Sequence, residues 1–219
     1  VGSSGTRVVL PTKTTTYTLT ATSAAGTATA TAQVVVEATP LNKVEVYSLA
    51  AEDGYVRADG VVGQKVMVGY TYQKIGIQGF LSFNISAIPK GAVIKSASID
   101  LDSGAVDVAG STSSMGNLYI CKQVYGGLDK NDYIVGPATG SICSLVVWPS
   151  SCGSSTLTVA AVQEQVNDGN ERFQIRLQFE KAPASTYYST RWSEQLSAQE
   201  DNYLDFADAK PRLIVEYQD

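Results

Sequence analysis

The segment from Gly76 to Leu101, GIQGFLSFNISAIPKGAVIKSASIDL, limits the fold more than any other part of the chain. Leu81, Phe83 and Ile85 alternate with Ser82 and Asn84, the period of a strand with one dry and one wet face. Pro89, Lys90 and Gly91 then break the run, because proline fixes φ and glycine admits turn geometry. Val93 to Leu101 resumes the alternation. Two such strands joined by a short turn present an apolar face that a second sheet has to cover. That predicts an all-β fold, an antiparallel β-sandwich.

The rest of the chain repeats the pattern. Val44, Val46 and Tyr47, then DGYVR, then Val66–Tyr70, read as short strands, and Asn117–Cys121 as another. Phe173, Ile175, Leu177 and Phe179 alternate with polar residues, and PRLIVEY from Pro211 to Tyr217 closes the series. A helix competes in one place, residues 156–167, where Val159, Val162 and Val166 recur at i, i+3 and i+7 before Asp168-Gly169 stops the run. Gly104 to Gly116 reads as a small-residue loop, and Tyr125 to Tyr133 as a long polar insertion.

Residues 1–38 have another texture. In TTTYTLTATSAAGTATATAQVVV, Thr, Ala and Val alternate around a turn at Ala24-Ala25-Gly26, which predicts a long hairpin. This segment resembles the last two strands of bacterial immunoglobulin-like domains, which need about seven strands. A lone hairpin is marginal in water, since one face and both edges stay uncovered. The missing strands were either removed or are supplied by a neighbouring module or subunit. In the second case Tyr17, Leu19, Val34 and Val36 form an assembly surface. Finding Tyr17, Leu19 and Val35 bare to water, or the region helical, would argue against such a coupling device. Ala38-Thr39-Pro40 is a linker, and the second domain spans residues 41–219.

Composition narrows the function. A net charge of −5 argues against a nucleic-acid backbone or an anionic membrane as partner, since both need a basic patch. Histidine is absent, which removes the usual general base and the Ser-His-Asp and Cys-His arrangements. We expect no enzyme. Cys143 and Cys152 bracket a short segment that a disulfide would close, leaving Cys121 over; three buried thiols are the alternative. A disulfide would fit an oxidising, extracellular setting. The chain holds no signal peptide and no apolar run of spanning length, so any export signal or anchor is expected outside it.

GFLSFNISAIPKGAVIKSASIDL, VNDGNERFQIRL and the closing PRLIVEY, in that order, look like the DNRLRE-type domain family, as does DGYVR followed by VGY. The resemblance covers about Leu41 to Asp219. It implies a jelly-roll β-sandwich from a large secreted or cell-surface protein, related to modules that bind acidic polysaccharides. The chain departs from the family at Tyr125 to Pro149, a longer insertion. The family's Arg-rich motif is altered to Tyr188-Ser189-Thr190-Arg191-Trp192-Ser193-Glu194.

Three sets of candidate site residues follow. Tyr187, Tyr188, Trp192 and Tyr203, with Arg191, are flat aromatics beside a cation, suited to stacking on a sugar and pairing with its acid group, or else to covering core edges. Acidic loops supply hard oxygen ligands of the kind Ca²⁺ takes. Because the resemblance brings the two ends of the domain together, Glu52, Asp53, Asp201 and Asp205 are the candidate set for a structural Ca²⁺; solvated turns are the alternative. Asn84-Ile85-Ser86 is a glycosylation sequon with Asn84 on a wet strand face. The function expected is a non-catalytic structural or adhesive module of an extracellular cell-surface protein or filament. The runner-up is a polysaccharide-binding module of a secreted multidomain protein.

Overall fold

The computed structural model of the protein describes residues 5–37, 39–109, 115–146, 151–181 and 202–219. The chain divides into two compact units, Val1–Pro40 and Leu41–Asp219.

The first unit is a two-stranded antiparallel ribbon, β1 (Thr15–Ser23) paired with β2 (Gly26–Val34) from Thr15↔Val34 to Ser23↔Gly26. The Thr/Ala alternation forms this ladder, and Thr14 seals its open end by exchanging hydrogen bonds with Val36. No helix forms. Leu19 is 71% and Val35 63% exposed, while Tyr17 and Val36 are half-buried and Val34 is exposed. Among the described residues of this unit nothing covers the apolar side, and two of the three positions named above are bare, which counts against the coupling device.

The second unit is an all-β antiparallel sandwich with one helix. Its strands are β3 (Asn42–Tyr47), β4 (Gly54–Arg57), β5 (Val62–Gly63), β6 (Met67–Tyr70) and β7 (Gly76–Asn84). After them come β8 (Val93–Asp100), β9 (Asp107–Ala109), β10 (Leu118–Lys122), β11 (Ser141–Leu145), α1 (Thr156–Asp168), β12 (Arg172–Phe179), β13 (Asn202–Asp205) and β14 (Arg212–Gln218). The small sheet has the order β3-β14-β8, and the large one β11-β10-β12-β7-β6-β13-β9, with β4 pairing β5 and β7.

The core lies between the sheets. Leu81, Phe83, Phe173, Ile175 and Leu177 point in from the large sheet and are at most 0% exposed. Ala97, Ile99, Leu213 and Val215 meet them from the small one. Phe83 lies opposite Phe173 in the β7–β12 register, with ring centroids 6.5 Å apart. Along β14 the alternation of buried and half-exposed positions is unbroken. Helix α1 adds Ala161, Val162 and Val166 to the same core. Ser155 caps its start by accepting from the Thr158 amide, and Gly169 ends it at φ 74°, a left-handed cap that glycine takes without strain.

Cys143 and Cys152 form a disulfide, and Cys121 is a buried free thiol. Cys143 belongs to β11, and Cys152 exchanges backbone hydrogen bonds with Ile99 of β8. The bond therefore staples the edge strand of one sheet to the edge of the other.

The outer face of the large sheet departs from expectation. Alternation predicts Ser82, Gln174, Arg176 and Gln178 to be wet, yet Ser82 and Arg176 are 0% exposed, Gln174 2% and Gln178 4%. The insertion after β10 lies over them. Gln78 donates to the Ile134 carbonyl at 2.7 Å and accepts from its amide at 2.9 Å, while Gln178 donates to the Gly136 carbonyl at 2.8 Å. Arg176 donates to the Thr139 carbonyl at 3.3 Å, and Tyr125 sets its ring edge-on to Phe80 at 5.3 Å. The long polar insertion is thus a lid, and buried polar side chains pin it because each finds a backbone partner there.

Candidate functional site

The densest polar cluster sits where β7, β12, the β3–β4 loop and the lid meet. Gln174 lies opposite Ser82 in the β7–β12 register, so both side chains rise from the same outer face. The Ser82 hydroxyl donates to Glu52 Oε2 at 2.7 Å, and the Ser82 amide donates to Asp53 Oδ1 at 2.8 Å. Arg172 Nε donates to both Glu52 oxygens at 3.0 Å. Gln174 Nε2 donates to Ser82 Oγ at 3.3 Å and to the Gly126 carbonyl at 3.1 Å. Gln174 Oε1 accepts from the Tyr125 and Gly126 amides, each at 3.0 Å. Gly126 has φ 62°, which turns consecutive N–H groups toward one point.

The electrostatics follow from burial. The Ser82 hydrogen bond, joined by Arg172, holds the Glu52 carboxyl below its ordinary value although desolvation opposes them. Burial does the reverse to Asp53, 8% exposed, and its pKa is pushed up to about 6. Burial also pushes the Tyr125 phenol up, aided by the charges of Asp53 and Glu52. Beside this cluster, Arg176 is wholly buried and its Nε has no partner among the described residues. It faces Cys121, whose thiol burial pushes up while Arg176 pulls it down.

Asp53 gives the sandwich a pH dependence of definite sign. Below about pH 4 the carboxyl is neutral folded and unfolded, so its burial costs nothing. Between there and about 6 the folded protein keeps a proton that the unfolded chain releases, so stability falls as pH rises. Above that window the cost is complete, about 3 kcal/mol for a shift of this size. Asp53→Asn should therefore gain stability over the parent as pH rises from about 4 to about 7. Urea unfolding of both proteins across that range measures the gap, and parallel profiles would refute it.

On the other side of Asp53 a cavity of about 350 Å³ opens between the two sheets. Leu81, Val66 and Phe206 line its apolar wall, and Tyr47, Lys65 and Lys210 stand at its rim. Its size suits a small molecule, and it offers an aromatic ring, two cations and a carboxyl.

The sequence candidates fall differently. Tyr187, Tyr188, Arg191, Trp192 and Asp201 lie outside the described residues. Tyr203 is half-buried in β13, opposite Gly69 and Ala109. Glu52 and Asp53 are brought together, but as acceptors for Ser82 and Arg172. Asp205 accepts from the Ala207 amide at 2.9 Å. Among the described residues no group of three or more acidic or cysteine side chains is placed to hold a metal ion. Asn84 is half-buried at the end of β7, its Oδ1 accepting from the Ser86 amide at 3.0 Å.

Sequence reasoning passed over Ser82, Gln174, Gln78 and Arg176. One signal was present: the wet face of β12 carries Gln and Arg where a solvated strand more often carries Lys, Glu and Thr. Compared with models of known protein families the chain matches none, and compared with curated proteins it also matches none. No helix among the described residues is long and apolar enough to cross a membrane.

Proposed function

We propose that the chain is a non-catalytic structural or adhesive module of an extracellular cell-surface protein or filament. The observation that supports this best is how the polar side chains on the outer face of the large sheet are engaged. Ser82, Gln174 and Gln178 are buried and hydrogen-bonded within the fold, and the half-exposed Glu52 and Arg172 pair with each other, where an open binding face would leave these groups to a ligand. The Cys143–Cys152 disulfide between the two sheets supports an oxidising compartment. The resemblance to DNRLRE-type domains points the same way.

In this reading the ribbon at the front is the assembly element. Neither β1 nor β2 pairs with a further strand among the described residues, so both edges of the ribbon are open. An unprotected antiparallel ribbon is a template for strand addition, and a neighbouring module or subunit would complete it. A second reading, a polysaccharide-binding module, draws on the cavity with Tyr47, Lys65 and Lys210.

One experiment separates the two. Sedimentation of the purified chain at increasing concentration should show polymers whose contacts include Thr14 to Val36, and Leu19→Lys should abolish them. A chain that stays monomeric throughout would contradict the assembly role. Retention on an acidic glycan gel that Lys65→Ala and Lys210→Ala reduce would favour the binding module instead.

A further inference from the structure

The cluster around Ser82 and Gln174 has the parts of an acyl-transfer site, with the electrophile built into the chain. We infer that Ser82 and Gln174 become joined by an ester bond that cross-links β7 and β12. Ser82 Oγ is the nucleophile, and its proton is already directed at Glu52 Oε2, 2.7 Å away. The electrophile is the Gln174 amide carbon, whose Nε2 donates to that oxygen at 3.3 Å, so the amide has to turn from this hydrogen-bonded pose to present its face to Oγ. Two backbone amides, Tyr125 and Gly126, stand 3.0 Å from Gln174 Oε1, where negative charge develops on attack.

The step balances without any co-reactant. Ser82 Oγ closes on the Gln174 carbon, and its proton passes to Glu52. The carbonyl electrons move onto Oε1, held by the two amides. They return as the bond to Nε2 breaks, and Glu52 hands its proton to that nitrogen, which leaves as ammonia. Residue 174 is left as a glutamyl ester of Ser82. Glu52 is a weak base, because Ser82 and Arg172 favour its ionised form. Weakness suffices here, since the reaction occurs once in the life of each molecule. The pairing of β7 with β12 holds the reactants side by side, so the step is intramolecular and no partner has to be recruited. Burial then protects the product: Ser82 is 0% and Gln174 2% exposed, so water has no ready access to hydrolyse the ester.

Such a bond ties two neighbouring strands at the centre of the large sheet, close to the disulfide-linked edge strand β11 in that sheet's order. It is independent of the proposed role as an assembly module and stands or falls separately.

Mass spectrometry of the intact, fully matured chain tests it. The wild-type protein should be lighter than its disulfide-bonded sequence by one ammonia. Its digest should contain one species joining the Ser82 peptide to the Gln174 peptide, which mild alkali after denaturation splits into a serine and a glutamate peptide. Ser82→Ala should have its full sequence mass. A wild-type chain of full sequence mass, with Ser82 and Gln174 in separate peptides, overturns the proposal, and that reading needs no variant to fold. Glu52→Gln should slow the loss of ammonia by at least tenfold; an unchanged rate would overturn the role given to Glu52.

Discussion

Phe173→Ala should cost the sandwich about 3–5 kcal/mol, the usual range for removing a buried aromatic ring. Phe173 is 0% exposed and lies at the centre of the large sheet, paired across β12 and β7 with Phe83. The site has no means to collapse. Its neighbours are strand residues held in register, so the cavity left behind stays open and its cost adds to the lost transfer energy. Urea unfolding followed by tryptophan or tyrosine fluorescence reads the change. A loss below about 1 kcal/mol would mean that Phe173 does not face the packed interior.

Gln78→Leu is the second large effect, and it acts on the opposite face. The Gln78 amide answers both backbone groups of Ile134, donates to Gln178 Oε1 at 3.2 Å and accepts from Arg176 at 3.5 Å. Leucine fills a similar volume and satisfies none of these. Arg176, already short of one partner at Nε, would lose another and keep the Thr139 carbonyl and the Cys121 thiol. A buried polar group that loses its partner costs about 1–3 kcal/mol, and here several lose theirs together, so about 2–4 kcal/mol is expected. The lid should also come loose. Limited proteolysis should cut between Val124 and Thr139 in the variant and leave the parent intact. An uncut variant of parental stability would show that the lid is held by something else.

Much of the two-layer architecture was legible in the chain, because the pattern that encodes it is local. Leu81-x-Phe83-x-Ile85, Phe173-x-Ile175-x-Leu177-x-Phe179 and Leu213-x-Val215-x-Tyr217 each bury one side of a strand, and the structure buries all of them. The valine spacing in residues 156–167 likewise sufficed for α1, since Ser155 and Gly169 cap it from the flanks. The lid was not legible. Alternation assigns Ser82, Gln174 and Arg176 to water because it assumes one covered face, and it carries no information about a distant loop folding over the other. Tyr125 looked like one tyrosine in a polar insertion. Its ring packs on Phe80 and its hydroxyl donates to the Glu52 carbonyl at 3.2 Å, contacts across 45 and 73 positions that no local pattern records.

The acidic residues illustrate the same limit. Residue type and the family resemblance make Glu52 and Asp53 candidate Ca²⁺ ligands, with solvated turns as the alternative. Ser82 and Arg172 give them other partners, and the Ser82 hydrogen bond lowers the Glu52 pKa while burial raises that of Asp53. Adjacent carboxylates in one loop are thereby shifted in opposite directions.

The proposed structural role draws its best support from the outer face of the large sheet being closed by the lid, with its polar groups turned inward. Amide hydrogen exchange measures that directly. The Tyr125, Gly126 and Ile134 amides belong to no strand ladder, yet each donates to a buried glutamine side chain. They should exchange as slowly as the amides of β12 in the core of the sheet. Exchange at the rate of an open loop would contradict the closed face, and with it the anchoring of the lid.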